Sequence, residues 1–90
     1  MLTLDDCIAF GDLSRGIVLA IAEHERVPEV SAVAIGAQLV QRVDGLRSIH
    51  AMVVAVIAAA ADRGDIAHEH ALRQTLLLFL EEFPQANHRQ

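Results

Sequence analysis

The sequence contains no lysine, no tryptophan and no tyrosine, and its only cysteine is Cys7. A single cysteine excludes an internal disulfide and a cysteine-rich zinc site. All seven basic residues are arginines, and twelve acidic residues outnumber them, which gives a net charge of −5. Because nucleic-acid binding needs a basic face to neutralise phosphates, this charge balance argues against a nucleic-acid partner.

Signals for strands, disorder and export are also missing. No segment alternates apolar and polar residues over the length of a strand. Apolar residues make up 53% of the 90 residues and the mean hydropathy is +0.37, which excludes intrinsic disorder. Asp5 and Asp6 lie where a signal peptide needs positive charge. The longest uncharged apolar run, residues 51–61, is short of the roughly 20 residues that cross a bilayer, so we expect a cytoplasmic protein without a membrane span.

The sequence is rich in alanine and in apolar residues spaced three and four apart, a pattern that indicates helices. Thr3, Asp12 and Asp44 are predicted N-caps, and Pro28 is predicted to occupy a first helical position. The five predicted helices cover residues 4–10, residues 13–26, a segment starting at residue 28, residues 45–63 and residues 66–83.

The clearest local signal is the tripeptide Arg63-Gly64-Asp65. Arginine favours the last turn of a helix, Gly64 fits a left-handed stop, and Asp65 can cap the helix that follows. So short a connection makes the last two helices antiparallel neighbours. We therefore predict an all-α fold, a compact bundle of four to five helices with a C-terminal antiparallel helical hairpin. Residues 1–84 would form a single domain and residues 85–90 a frayed polar tail.

The last two predicted helices carry more apolar side chains than a small chain is expected to bury. Residues 51–61 are apolar all round, which predicts a helix buried on most sides. Residues 76–80 are five consecutive large apolar residues, so some must point away from the neighbouring helix. A monomer would then expose an apolar patch of more than a few hundred Å², which typically marks an interaction surface.

These features predict a non-enzymatic protein-interaction module that self-associates, as a homodimer, or caps a larger partner through the last two helices. No glycine-rich phosphate loop, nucleophile elbow or pair of catalytic carboxylates is present, and no cofactor is predicted. The side chains predicted to form either the interface or the core are Val53, Ile57, Leu76 and Phe79.

The histidines support an alternative hypothesis. His24 continues the apolar stripe of the second predicted helix, and it could bind a metal or a small cofactor together with His50 or His68. The metalloprotease pattern fails, because Pro28 stands where a second histidine is needed. His70 cannot share a metal with His68, because residues two apart point about 200° away from each other on a helix.

The acidic residues support a third hypothesis. Glu23, Glu25 and Glu29 lie close together in the sequence, at the end of one predicted helix and the start of the next. A small acidic regulator would use them to bind a basic protein surface, and that binding would depend steeply on salt.

One resemblance adds to these interpretations. The run Ile21-Ala22-Glu23-His24-Glu25, followed by Pro28-Glu29, stands in a chain that opens Leu4-Asp5-Asp6-Cys7-Ile8. This combination resembles a group of short, uncharacterised helical proteins of bacteria. The resemblance implies a bacterial cytoplasmic origin and a stand-alone domain, and it implies no activity.

Overall fold

The computed structural model describes residues 14–86, which form four α-helices and a final 3-10 turn. No strand occurs in this part of the chain, and the predicted all-α bundle is confirmed. The first predicted helix, together with Thr3 and Cys7, lies outside the described residues. The elements are α1 (Arg15–Glu25), α2 (Glu29–Leu39), α3 (Val43–Arg63), α4 (Ile66–Glu82) and the 3-10 turn Pro84–Ala86.

The helix starts differ from the predicted ones in detail. Ser14, not Asp12, is the N-cap of α1, and its hydroxyl accepts a hydrogen bond from a backbone N–H three residues further on, at 3.3 Å. The N-cap of α3 is Arg42, and Asp44 lies inside the first turn, where its negative charge favours the positive end of the helix dipole. Pro28 is the N-cap of α2 rather than its first residue.

The connection between α3 and α4 has the predicted form. Gly64 ends α3 in a left-handed conformation with φ of 74°. The side chain of Asp65 caps α4 by accepting a hydrogen bond from the backbone N–H of His68 at 3.2 Å. These two residues reverse the chain, and α3 and α4 pack against each other as an antiparallel hairpin.

The core lies between α3 and the helices around it. α3 packs against α1, α2, α4 and the 3-10 turn. Ala86 in that turn is fully buried, so the packed residues continue to residue 86, two residues into the segment predicted as a polar tail. The largest fully buried side chains are Ile17, Val18, Ile21, Ile49 and Val53.

Three of the four residues predicted to be interface or core lie in this core. Val53, Ile57 and Phe79 are buried inside the single chain, and Leu76 is partly buried against them. Neighbours from their own chain already cover these side chains. Val53 and Phe79 are therefore closed to a partner that docks on the folded chain, whereas Ile57 and Leu76 also border a groove that is open to solvent.

α3 is not buried on most sides, contrary to the expectation from its composition. Only 39% of the most apolar 18-residue stretch of α3 is buried, and the side chain of Val54 is 44% exposed. The reason is geometric, because the neighbouring helices cover one stripe of α3 and leave the opposite stripe to solvent. The exposed alanines of this second stripe and its edges are Ala51, Ala55, Ala58, Ala59 and Ala61.

Candidate interaction surface

An apolar groove runs between α3 and α4 and is open to solvent, with a cavity volume of about 580 Å³. Its α3 wall consists of aliphatic side chains only, whereas its α4 wall carries both apolar and polar groups. The lining residues are Val54, Ile57, Ala58 and Ala61 from α3, and His70, Arg73, Gln74, Leu76 and Leu77 from α4.

Helical periodicity explains why these residues meet. Val54, Ala58 and Ala61 follow one another at intervals of four and three residues, so they share one face of α3. His70 and Leu77 lie seven residues apart and share one face of α4 in the same way. The alanines add little bulk, so the α3 wall leaves room for side chains from outside the chain.

Large apolar side chains stand exposed around the groove. As the length of the run predicted, residues 76–80 do not all face the neighbouring helix. Phe79 enters the core, whereas Leu77 and Leu78 remain 57% and 62% exposed. Ile66, at the start of α4, is 76% exposed and borders a smaller depression that shares His70 and Arg73 with the groove. We call the groove, this depression and Leu78, the exposed residue that follows Leu77 on α4, the hairpin face. It comprises Val54, Ala58, Ala61, Ile66, His70, Arg73, Gln74, Leu77 and Leu78.

The positively charged side chain of Arg73 lies at the edge of the hairpin face. The Nε and Nη2 atoms of Arg73 both donate to Oε2 of Glu69, one turn earlier on α4, at 3.0 and 2.6 Å. The Arg73 side chain remains 61% exposed. Because a guanidinium carries five N–H donors, this contact leaves donors for a second acceptor outside the chain.

The histidines of the metal hypothesis have separate partners. Nδ1 of His24 is 2.6 Å from the carboxylate of Glu25, and Nε2 of His68 is 2.7 Å from the carboxylate of Glu23. His50 lies half-buried on α3. Within residues 14–86, no three His, Cys, Asp or Glu side chains are grouped so that they could hold a metal ion. The structure therefore does not bring His24, His50 and His68 together as one site.

The acidic residues of the third hypothesis are largely engaged by their own chain. Glu23 accepts from His68 on α4 and lies 4.0 Å from Nη2 of Arg63 at the end of α3. Glu25 contacts the neighbouring His24. The link from Glu23 to α4 spans 45 residues of sequence, and no local pattern signals it.

α3 has one further property, which concerns membranes. Its 21 residues are long enough to cross a bilayer, and its most apolar window has a mean hydropathy of 1.6. The expectation of no membrane span rested on the uncharged run of residues 51–61, whereas the helix is longer than that run. A central helix of a globular protein has the same length and composition, and the buried stripe of α3 supplies more of the hydrophobic core than any other described helix.

Comparison of the chain with protein-family models, with curated proteins and with solved structures finds no match. The resemblance to short bacterial helical proteins therefore stays a prediction. The hairpin face is the feature from which function can be inferred.

Proposed function

We propose that the protein is a small, non-enzymatic helical interaction module of the bacterial cytoplasm that binds a protein through the hairpin face. The observation that carries this proposal is the exposure of Leu77, which lines the open apolar groove, and of Leu78, the residue that follows it. Apolar surface contributes about 25 cal/mol per Å² when it is removed from water, so a partner that covers it gains free energy. Contiguous apolar patches beyond a few hundred Å² are rare on monomers and usually mark contact sites.

The packing of residues 14–86 does not explain the leucines at these positions. Leu77 and Leu78 lie outside the buried core, which α4 supplies through Leu72 and Phe79. Leucine, glutamine, glutamate and arginine have similar helix propensities, so a polar residue at either position would serve the helix equally well. Because these two exposed leucines are adjacent and Leu77 lines an apolar groove, contact with a partner explains them better than the helix itself does.

The arrangement of the groove fits a protein partner. The alanines of α3 form a shallow apolar wall against which a bulky side chain can pack. Arg73, His70 and Gln74 provide polar groups at its edge. Interfaces between proteins have this composition, with an apolar centre, a polar rim and a preference for arginine among charged residues.

The test is the double substitution Leu77→Gln with Leu78→Gln in the full chain. Glutamine keeps the helix propensity and adds no charge, so we expect an unchanged circular dichroism spectrum and a loss of binding. Binding is measured as self-association by sedimentation equilibrium, and as retention of specific proteins by the tagged chain in cells of its native host.

The matched control is Leu19→Gln, because Leu19 is 41% exposed on α1, outside the hairpin face. This variant should bind as the wild-type chain does. The proposal is overturned if the wild-type chain and the double variant both sediment as monomers and retain the same proteins.

A further inference from the structure

We propose that the hairpin face binds a second copy of this chain, in an antiparallel two-fold arrangement centred on Val54 and Leu77. This inference rests on the proposed function, because it takes the hairpin face to be a binding surface. In a two-fold contact, the same surface of both copies meets, so that surface must be complementary to itself. The proposed two-fold axis lies between the two hairpin faces and is perpendicular to the helix axes. Each helix therefore faces its own copy, which runs in the opposite direction.

The charges of α4 satisfy this condition. Arg73, Leu77 and Glu81 follow at intervals of four residues, so they share one face of the helix, and all three are exposed. Arg73 lies one turn before Leu77 and Glu81 one turn after it, each about 6 Å away along the helix axis. Two α4 helices that cross in opposite directions at Leu77 therefore place Arg73 opposite the partner's Glu81. The symmetry forms this contact twice.

The charges of α3 satisfy the same condition independently. Arg47 precedes Val54 by seven residues and shares its face, and Asp62 follows Val54 by eight residues. Arg47 and Asp62 are exposed. The same axis therefore places Arg47 and the partner's Asp62 at about the same level along α3. Both helices thus place opposite charges at nearly equal distances on either side of the residue at the centre.

Parallel packing of the two α4 helices is unfavourable. If the two α4 helices ran parallel, Arg73 would face the partner's Arg73, and Glu81 would face the partner's Glu81. Like charges placed opposite one another destabilise a contact and select against that partner orientation. The charge pattern therefore favours the antiparallel dimer over the parallel one.

The contact between Arg73 and Glu69 prepares the arginine for this role. Glu69 binds the Nε and Nη2 atoms of Arg73, which restricts the long side chain before any partner arrives. The remaining donors are available for the partner's Glu81. An arginine that is already ordered loses less conformational entropy when it binds.

The experiment uses two single charge reversals, Arg73→Glu and Glu81→Arg, in the full chain. In either variant alone, the symmetric contacts pair like charges, so we expect dimerisation about 10-fold or more weaker at low salt, as measured by sedimentation equilibrium. In an equimolar mixture, the heterodimer pairs Glu at position 73 with the partner's Arg at position 81, and Arg73 with the partner's Glu81. The mixture should therefore dimerise about as well as the wild-type chain, and so should the chain that carries both changes.

The matched control is Glu82→Arg, which makes the same charge change at an exposed neighbouring position that points away from Leu77. This variant should dimerise like the wild-type chain. Mixing leaves each chain's own stability unchanged, so recovery in the mixture cannot come from a change in folding.

The outcomes separate this inference from the proposed function. If the wild-type chain is a monomer, but the Leu77 and Leu78 substitutions abolish binding of another protein, the interaction module stands and the two-fold dimer is wrong. If the wild-type chain is a dimer and the mixture associates no better than the two single variants, the antiparallel register is wrong.

Discussion

At the level of single residues, two isoleucines show that position, not residue type, decides what a side chain contributes. Ile49 on α3 is fully buried, whereas Ile66 at the start of α4 is 76% exposed. Truncating the side chain of Ile49 leaves a cavity among packed neighbours. Truncating the side chain of Ile66 leaves no cavity, because most of its surface already contacts water.

We expect Ile49→Ala to lower the free energy of unfolding by about 2–5 kcal/mol, through the lost apolar burial and the cavity that remains. The matched change Ile66→Ala should alter it by less than about 0.5 kcal/mol. Urea unfolding, followed by helical circular dichroism at low micromolar protein, measures both values. Equal losses for the two variants would contradict the difference in burial between the two isoleucines.

At the level of helices, two glycines set the ends of α3 for different reasons. Gly64 ends the helix with φ of 74°, and a Cβ at this position would meet no atom within 4 Å, so its role is purely conformational. Gly45 lies in the first turn, where a Cβ would stand 2.0 Å from the carbonyl oxygen of Leu39. Its role is to let the start of α3 pass close to the end of α2.

We expect Gly64→Ala to destabilise the fold by about 1 kcal/mol, because a left-handed conformation is costly for a residue with a Cβ. Gly64→Asn should cost less, since asparagine tolerates this conformation better. Gly45→Ala should cost more than either, because the backbone of α2 or α3 has to move. Urea midpoints of the three variants give the order, and a Gly45→Ala variant as stable as the wild-type chain would refute the close contact.

At the level of the complete fold, the shape explains why one surface of the hairpin stays uncovered. The described residues measure 38 × 32 × 19 Å, and 19 Å is the thickness of about two layers of helices. α1 and α2 pack against α3 from one side and bury its apolar stripe. Within residues 14–86, no third layer of helices covers the outer side, where the hairpin face lies.

This shape leads to a prediction for α3 in cells. If α3 crossed a membrane, its buried stripe would leave the contacts with α1 and α2, and the bundle would lose a large part of its core. We therefore expect the full chain to stay in the supernatant when lysate of its native host is centrifuged at high speed. A chain found in the membrane pellet, and retained there after alkaline carbonate extraction, would contradict the proposed cytoplasmic location.

The candidate surface could be predicted only in part. The count of apolar residues in the last two helices indicated an excess, but three of the residues chosen from it, Val53, Ile57 and Phe79, lie in the core. The exposed Leu77, which lines the groove, and the neighbouring Leu78 belong to the same apolar run as Phe79. Which of them face outward depends on the side from which α1 and α3 approach α4, and no local pattern encodes that direction.

Local sequence patterns were sufficient to predict the four helices in residues 14–86, the sharp stop at Gly64 and the cap at Asp65. These features follow from interactions within a few residues of the chain, such as helix propensity, a left-handed glycine and a capping side chain. The packing of the helices was needed to learn which stripe of α3 is covered, which residues form the hairpin face, and that Glu23 meets His68 across 45 residues. Burial and long-range pairing depend on how complete helices fit together, and that fit is set jointly by side chains that are far apart in the sequence.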